Sequence, residues 1–378
     1  MSRPLLRIEK AVFGGYGLAF YNGMAVFVEK AIPGDLVYVD IYAKKKNHAF
    51  ARIDGIASHS NDRIEAPCSA FYECGGCCYL CLSYEDEIKH KSDIVRELLK
   101  HIGGMNDIPQ IDIITGERFY YRSHAKVKTN GSLCGFFKKN SNELVPFPDA
   151  GCLLLSQELM SLVKPALKTK ELYVSTGAPG FEPSVAGLLI EKEFGIIYER
   201  GERNFFQANR FLRSSLLERV AEYASLSKEE NFIDIGCGVG FFTLYLASAA
   251  AFGKGVDINK ESIAMAKKNA VLNKIDNVAF DAIPAAAINP HRQKYDAAIL
   301  DPPRAGLDKK SRRTISAINA ERMVYVSCSP PTFARDAADF IKAGYVLDRL
   351  TLIDMFPCTQ HIELIGRFLY EQKHSVLS

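Results

Sequence analysis

Short apolar stretches alternate with helical patterns through residues 204–378, and this alternation constrains the fold more than any other feature. The apolar stretches predict strands at residues 232–235, 255–257, 297–300 and 324–326. Helical patterns, for example residues 261–273, separate these strands. Strands that alternate with helices form a parallel sheet that is covered by helices on both faces. The sequence therefore predicts a doubly wound α/β domain over residues 204–378.

Residues 1–58 show a different pattern, in which short apolar runs are broken by turn signals. Asn22-Gly23 between two apolar runs is typical of a β-hairpin, and residues 36–41 alternate as a strand does. About five strands in such a short stretch predict a small closed β-barrel of the OB type, which often binds oligonucleotides. The stretch holds eight Lys/Arg and five Asp/Glu, a balance of +3 that equals the net charge of the whole chain. A barrel that serves only for packing is the alternative.

Residues 59–203 are predicted to form a central α+β domain, and its first part is rich in cysteine. Five of the ten cysteines lie between Cys68 and Cys81. We expect a cytoplasmic protein, because the sequence has neither a secretion-signal pattern nor an apolar stretch of about 18 residues that could cross a membrane. In that compartment a cysteine cluster favours metal binding or catalysis over disulfides. The spacing by itself fits an iron–sulfur cluster and Zn²⁺ almost equally.

A glycine-rich loop indicates a cofactor site in the α/β domain. The run Asp-Ile-Gly-Cys-Gly-Val-Gly at residues 234–240 follows a strand and precedes a predicted helix at residues 241–250. Glycines at such a turn let the backbone approach a ligand closely. Asp257 ends the next strand, where a carboxylate can accept both ribose hydroxyls of an adenosine. A tight turn without a ligand is the alternative, and the loop lacks the third spaced glycine of dinucleotide-binding proteins.

Two chemically active side chains follow neighbouring predicted strands. Asp301 comes directly after the strand at residues 297–300, and Cys328 comes directly after the next strand, between two serines. Ligands of open α/β sheets bind at the carboxyl ends of the strands, so both side chains are expected at one edge. Cys328 is therefore a candidate nucleophile, with a small buried core cysteine as the alternative.

Basic and aromatic residues are interleaved between residues 118 and 139. Arg122 and Lys126 belong to this set, together with several Phe and Tyr residues. Basic side chains contact phosphates and aromatic rings stack on unpaired bases, so the segment is a candidate RNA contact. A hairpin with an exposed basic face and a buried aromatic face is an equally good interpretation.

Several motifs together resemble the RNA uridine-5-methyltransferases, which modify 23S ribosomal RNA or transfer RNA. Residues 1–58 also look like the TRAM domain, an OB-like RNA-binding barrel of many members. The motifs are Asp-Pro-Pro-Arg-Ala-Gly at 301–306, Ser-Cys at 327–328, Ala-Arg-Asp at 334–336, Asp-Met-Phe-Pro at 354–357, His-Ile-Glu at 361–363 and Phe-Phe-Gln-Ala-Asn at 205–209.

The resemblance implies a Rossmann-like domain that uses S-adenosylmethionine, and it implies roles for individual residues. Cys328 would add to carbon 6 of a flipped uracil as a thiolate, and Glu363 would accept the proton from carbon 5. Phe205 would stack on the flipped base. The implied cofactor contacts are Gln207, Gly236, Phe241, Asp257 and Asp301. The implied ligands of a [4Fe–4S] cluster are Cys68, Cys74, Cys77 and Cys152.

The sequence departs from the usual family pattern at a few positions. Gly236 and Phe241 stand where an aromatic residue and Asn are usual, which puts side-chain contacts there in doubt. The combination of a TRAM-like barrel with a cluster favours 23S ribosomal RNA over transfer RNA, by analogy only. An RNA cytosine-5 methyltransferase is disfavoured because Arg304 occupies the place of its second cysteine. A non-catalytic RNA-binding protein is disfavoured by the intact Cys328, Asp301 and Glu363. No obligate protein partner is evident.

Overall fold

The computed structural model describes residues 3–165, 170–177 and 187–371. The ends of the first and last predicted domains, residues 1–2 and 372–378, lie outside the described residues. The strands of the N-terminal part are β1 (Leu5–Arg7), β2 (Lys10–Val12), β3 (Tyr16–Tyr21), β4 (Met24–Glu29), β5 (Leu36–Lys44) and β6 (His48–Ser58).

These strands form one six-stranded sheet in the order β1-β5-β6-β4-β3-β2. The predicted hairpin is confirmed, since Tyr21 pairs with Met24 and both turn residues have positive φ. Residues 8 and 9 interrupt the N-terminal extended stretch and divide it into β1 and β2. The sheet therefore has six strands, where about five were expected. Because β1 and β2 stand at opposite ends of the strand order, and the Glu9 N–H donates to the Leu18 carbonyl, the two edges meet.

The middle of the chain forms two small sheets and two helices. The four-stranded sheet has the order β10-β9-β8-β11, and β12 pairs with β13. The elements are α1 (Tyr84–His101), β7 (Ile111–Ile114), β8 (His124–Thr129), β9 (Cys134–Phe137), β10 (Leu144–Pro146), α2 (Gln157–Leu162), β11 (Glu171–Ser175), β12 (Leu188–Glu193) and β13 (Ile196–Gly201).

The C-terminal part alternates helices and strands as predicted, and a single 3₁₀ turn occupies Ala285–Ala287. Its other elements are α3 (Arg213–Ala224), β14 (Asn231–Ile235), α4 (Phe241–Ala247), β15 (Phe252–Asp257), α5 (Lys260–Leu272), β16 (Val278–Ala282), β17 (Ala297–Leu300), α6 (Lys309–Ser316), β18 (Arg322–Ser327), α7 (Pro330–Lys342), β19 (Tyr345–Ile353) and β20 (Glu363–Tyr370).

An eight-stranded sheet in the order β16-β15-β14-β17-β18-β20-β19-β7 forms the centre of this part. Strands β14 to β18 pair in parallel, which confirms the doubly wound prediction for them. The sheet departs from the predicted parallel arrangement at β20, which is antiparallel to both β18 and β19. Residues 354–362 connect β19 to β20, and so short a segment cannot provide the crossover that parallel neighbours need.

Helices cover both faces of the large sheet. Ala298, Leu300 and Tyr325 point into one core with side chains of α6, α7 and α1, while Ile299 and Val324 point into the other with α3, α4 and α5. This two-sided burial explains why these strands read as unbroken apolar runs. Helix α1 and strand β7 fall within the predicted central segment, yet both pack on the large sheet. No helix among the described residues is long and apolar enough to cross a membrane.

Candidate active site

The glycine-rich loop packs directly against the segment that follows β17. Gly236 has φ +88°, and a Cβ atom there would come within 2.4 Å of the Asp301 carbonyl oxygen. Its N–H donates to the Val256 carbonyl at 2.8 Å. Only glycine satisfies both the backbone conformation and this close approach. The loop is thereby held at the carboxyl edge of the sheet, next to Asp301, the first residue after β17.

Asp257 is fixed in an orientation that faces the same loop. One carboxylate oxygen accepts the Gly238 N–H at 3.0 Å, and the other accepts the Asn259 N–H at 2.7 Å. Each carboxylate oxygen can accept more than one hydrogen bond, so acceptor capacity remains for ribose hydroxyls. The placement fits the role that the sequence predicts for Asp257.

Gln207 lies in a segment that a buried ion pair anchors. Its carbonyl accepts the Arg213 guanidinium at 2.7 Å, and Arg213 also pairs with Glu191 at 2.7 Å. Phe205, two residues earlier, is 67% exposed and so is free to meet a base. The Phe241 ring, by contrast, is buried against Phe206. Any cofactor contact by Phe241 must therefore come from its backbone.

The antiparallel register brings the predicted nucleophile and base together. Ser327 pairs with Leu364 at the end of β18, so Cys328 comes directly after this pair and Glu363 directly before Leu364. The charge of Glu363 contributes to the raised pKa of Cys328, so the two side chains lie close together. Asp301 joins this pair, because it follows β17, the parallel neighbour of β18.

The acidic groups around Cys328 control its protonation. Burial, Glu363 and Asp301 raise the pKa of Cys328 to about 12, against the opposing effect of Arg304. Burial and Asp301 likewise raise the pKa of Glu363 well above its usual value. Burial, Asp234 and Asp257 raise the pKa of Asp301 to about 8. In the free protein Cys328 is therefore a protonated thiol at neutral pH, rather than the ready thiolate that the chemistry requires.

Arg304 and His361 complete the rim of the site. Arg304 Nη2 lies 3.3 Å from His361 Nε2, and because a guanidinium can only donate, Nε2 is the accepting nitrogen. Burial and Arg304 lower the pKa of His361 to about 3, so the ring is neutral. The sequence placed both residues inside motifs but assigned neither a role. Their positions near Asp301 and Glu363 in those motifs could have indicated that both residues lie at the site.

The four cysteines predicted as cluster ligands line one small cavity of about 30 Å³. Cys68, Cys74 and Cys77 come from the loop before α1, and Cys152 comes from the turn before α2. Of the ten cysteines, all within the described residues, no other lines it, and Cys78 lines a neighbouring cavity. As they stand, no three His, Cys, Asp or Glu side chains among the described residues are arranged to hold a metal ion.

The two predicted RNA contacts of the middle segment differ in their surroundings. Arg122 is half-buried, and its positive charge contributes to the low pKa of His361. Lys126 lies on β8, where it pairs with Glu171 at 2.6 Å. Arg122 is therefore near the catalytic groups, whereas Lys126 already has a partner.

Comparison with known proteins assigns the chain to a family. The chain is 32% identical to an uncharacterized RNA methyltransferase of Aquifex aeolicus, with 96% of this chain and 98% of that protein covered. Residues 185–372 match the model of the tRNA (uracil-5-)-methyltransferase family. The chain belongs to the RNA uracil-5-methyltransferase family.

Two further relatives of this methyltransferase are informative. The 23S rRNA (uracil(1939)-C(5))-methyltransferase RlmD of Vibrio campbellii is 28% identical over 96% of this chain and 95% of its own. The structure of the Pyrococcus abyssi tRNA (uracil-54, C5)-methyltransferase, solved with S-adenosyl-L-homocysteine, superimposes with a TM-score of 0.72. It is 21% identical and covers 96% of this chain and 100% of that chain, so the methyltransferase fold extends over nearly the whole molecule.

The raised pKa of Cys328 predicts an unusual pH dependence of alkylation. Below a pKa of about 12 the thiolate fraction grows about tenfold per pH unit, so the iodoacetamide reaction at Cys328 should accelerate steadily from about pH 7 to about pH 9.5. Mass spectrometry of the Cys328 peptide measures this rate. The same peptide in the urea-unfolded chain is the control and should level off near about pH 8.5. A plateau near neutral pH in the folded protein would contradict the prediction.

Proposed function

We propose that this protein transfers a methyl group from S-adenosylmethionine to carbon 5 of a specific uridine in RNA. The observation that carries the proposal is that Cys328, which directly follows β18, lies close enough to Glu363 and to Asp301 for both to act on its pKa. A thiol and a carboxylate on one face of a site are the two groups that this reaction requires.

The chemistry follows from what these residues can do to a uracil ring. Bound S-adenosylmethionine supplies an electrophilic methyl group on a sulfonium sulfur. The Cys328 thiolate forms a bond to carbon 6, and the electron pair displaced onto the ring makes carbon 5 nucleophilic. Once carbon 5 has gained the methyl group, Glu363 takes the proton from it. The ring double bond then re-forms as the bond between Sγ and carbon 6 breaks, and Cys328 is released.

The local electrostatics suit this order of events. A raised pKa makes the ionised Glu363 a stronger proton acceptor than an exposed carboxylate. Arg304, the group that opposes the rise in the Cys328 pKa, supports the thiolate during attack. The cofactor contacts proposed are Gln207, Gly236, Asp257 and Asp301, together with the backbone of Phe241.

RNA recognition is proposed to involve three parts of the chain. The six-stranded sheet of residues 1–58 is proposed to be the TRAM barrel, and its closed edges and net charge of +3 support this. Arg122, whose charge acts on His361, is proposed to bind a phosphate beside the target uridine. Phe205, exposed next to the buried Phe206, is proposed to stack on the uracil that is flipped out of its loop.

The middle segment, residues 59–203, is proposed to carry a [4Fe–4S] cluster on Cys68, Cys74, Cys77 and Cys152. Three of these thiols come from one loop and Cys152 lies far away in sequence, and their convergence on one apolar cavity supports the assignment. Thiolates are the usual ligands of such clusters. The catalytic domain is proposed to span residues 204–378, with α1 and β7 completing its sheet.

Glu363→Gln should trap the covalent intermediate. The glutamine cannot take the proton from carbon 5, so the methylated RNA should remain attached to Cys328 and migrate with the protein on denaturing gels. Turnover should fall by a factor of about 10² or more. Cys328→Ala is the matched control: it should abolish both the adduct and methylation while RNA binding persists. Turnover by Cys328→Ala would exclude this mechanism.

The favoured substrate is 23S ribosomal RNA, with transfer RNA as the alternative. The combination of a barrel with a cluster supports ribosomal RNA by analogy with the family. Deletion of the gene should remove a 5-methyluridine from 23S ribosomal RNA and leave the transfer RNA unchanged. Mapping of 5-methyluridine in both RNAs, with and without the gene, decides between the two. Loss from transfer RNA alone would select the alternative.

The cluster predicts the metal content of the purified protein. Protein isolated without oxygen should be brown and contain about four irons per chain. Cys74→Ser should lose most of this iron, because Cys74 lines the shared cavity. Cys134→Ser is the matched control and should retain it, since Cys134 does not line the cavity. If the protein contained stoichiometric zinc and no iron, these cysteines would form a zinc site and not an iron–sulfur cluster.

A further inference from the structure

The segment that leads into Glu363 has no regular structure of its own. Residues 354–362 join β19 to β20, and Glu363 is the first residue of β20. The sheet holds Glu363 on one side through its pairing with Ile353. On the other side its position depends on how this connection is held. Cys358 has φ +67°, a conformation that needs support from its surroundings.

The support comes from Asn209 and from segments that precede the α/β domain. The Asn209 side chain donates to the Met355 carbonyl at 3.2 Å, and the Tyr121 hydroxyl donates to the Pro357 carbonyl at 3.1 Å. The backbone N–H groups of Cys78 and Tyr79 both donate to the Cys358 carbonyl, at 2.9 and 3.1 Å. The connection is thus tied to several segments that lie far away in sequence.

A fully buried ionic group on α1 provides the charged anchor. Lys91 Nζ lies 2.7 Å from Asp354 Oδ1 and 2.8 Å from Glu87 Oε1, and all three side chains are inaccessible to solvent. Lys91 also donates to the Phe356 carbonyl at 3.3 Å. Glu87 accepts the Cys358 N–H at 2.6 Å and the Arg118 guanidinium at 3.1 Å. Two charged residues one helical turn apart therefore hold both ends of residues 354–358.

Burial of the charged groups of Lys91, Glu87 and Asp354 costs free energy, so their position beside residues 354–358 points to a specific role. Burial alone would lower the pKa of Lys91, but Asp354 and Glu87 outweigh it and raise that pKa. Removal of one partner would leave uncompensated charge in the core and would force the connection to move. A displacement of about 1 Å in a catalytic group can slow a reaction by about 10²-fold.

We propose that Lys91 and Glu87 are positioning residues for the methylation reaction, which hold residues 354–358 so that Glu363 lies opposite Cys328. The proposal rests on the proposed function of Glu363 as the proton acceptor. It assigns a role in the reaction to a helix that lies outside residues 185–372, the part matched by the family model.

Lys91→Met tests the proposal, because it removes the charge and keeps most of the side-chain length. If Glu363 is displaced, proton removal should slow while addition of Cys328 continues. The covalent protein–RNA adduct should therefore accumulate, and kcat should fall by about 10²-fold with a smaller change in KM. Lys91→Arg keeps the cation and should restore most of the turnover. Lys89→Met, at an exposed position of the same helix, is the matched control and should behave as the unmodified protein.

Two further variants separate positioning from stability and from the proposed function. The double variant Lys91→Met/Asp354→Asn removes an unpaired carboxylate charge, so it should fold even if Lys91→Met does not, and it should still accumulate adduct. Loss of activity without adduct in both variants, while Glu363→Gln forms adduct, would overturn the positioning role and leave the proposed function intact. Absence of adduct in Glu363→Gln itself would overturn the base assignment, and the positioning role with it.

Discussion

The backbone ladder between β18 and β20 fixes the distance on which the chemistry depends. Antiparallel pairing of Ser327 with Leu364 brings the residues next to that pair, Cys328 and Glu363, to the same end of the ladder. Because the ladder is part of a sheet buried on both faces, it cannot shift without exposing two cores. The ladder therefore fixes the ends of β18 and β20, while the connection before Glu363 is held by contacts outside the ladder.

The irregular segments at the same edge need a different kind of support, and buried ion pairs provide it. Arg213 and Glu191 hold the stretch that contains Gln207, while Lys91 holds the connection that begins at Asp354. Each pair satisfies backbone carbonyl groups that no strand or helix would pair. Buried charges contribute little net stability when a well-packed apolar core is the alternative, but they define one arrangement of the chain.

The carboxyl groups collected at this edge also set the electrostatics of the site. Burial, Glu363 and Asp301 raise the pKa of Cys328, burial and Asp301 raise the pKa of Glu363, and burial, Asp234 and Asp257 raise the pKa of Asp301. A cationic ligand among them would be stabilised by the negative charge and would in turn favour the ionised carboxylates. Arg304 is the cation that this chain places there itself.

Local pattern in the sequence determined the strand β17 and the shared edge of Asp301 and Cys328, because periodicity and strand ends are properties of neighbouring residues. Only the tertiary structure decided that β20 runs antiparallel and so carries Glu363 to that edge. It also decided that Lys91 meets Asp354, 263 residues away. A contact over such a separation leaves no local pattern, since its partners are chosen by packing of whole elements.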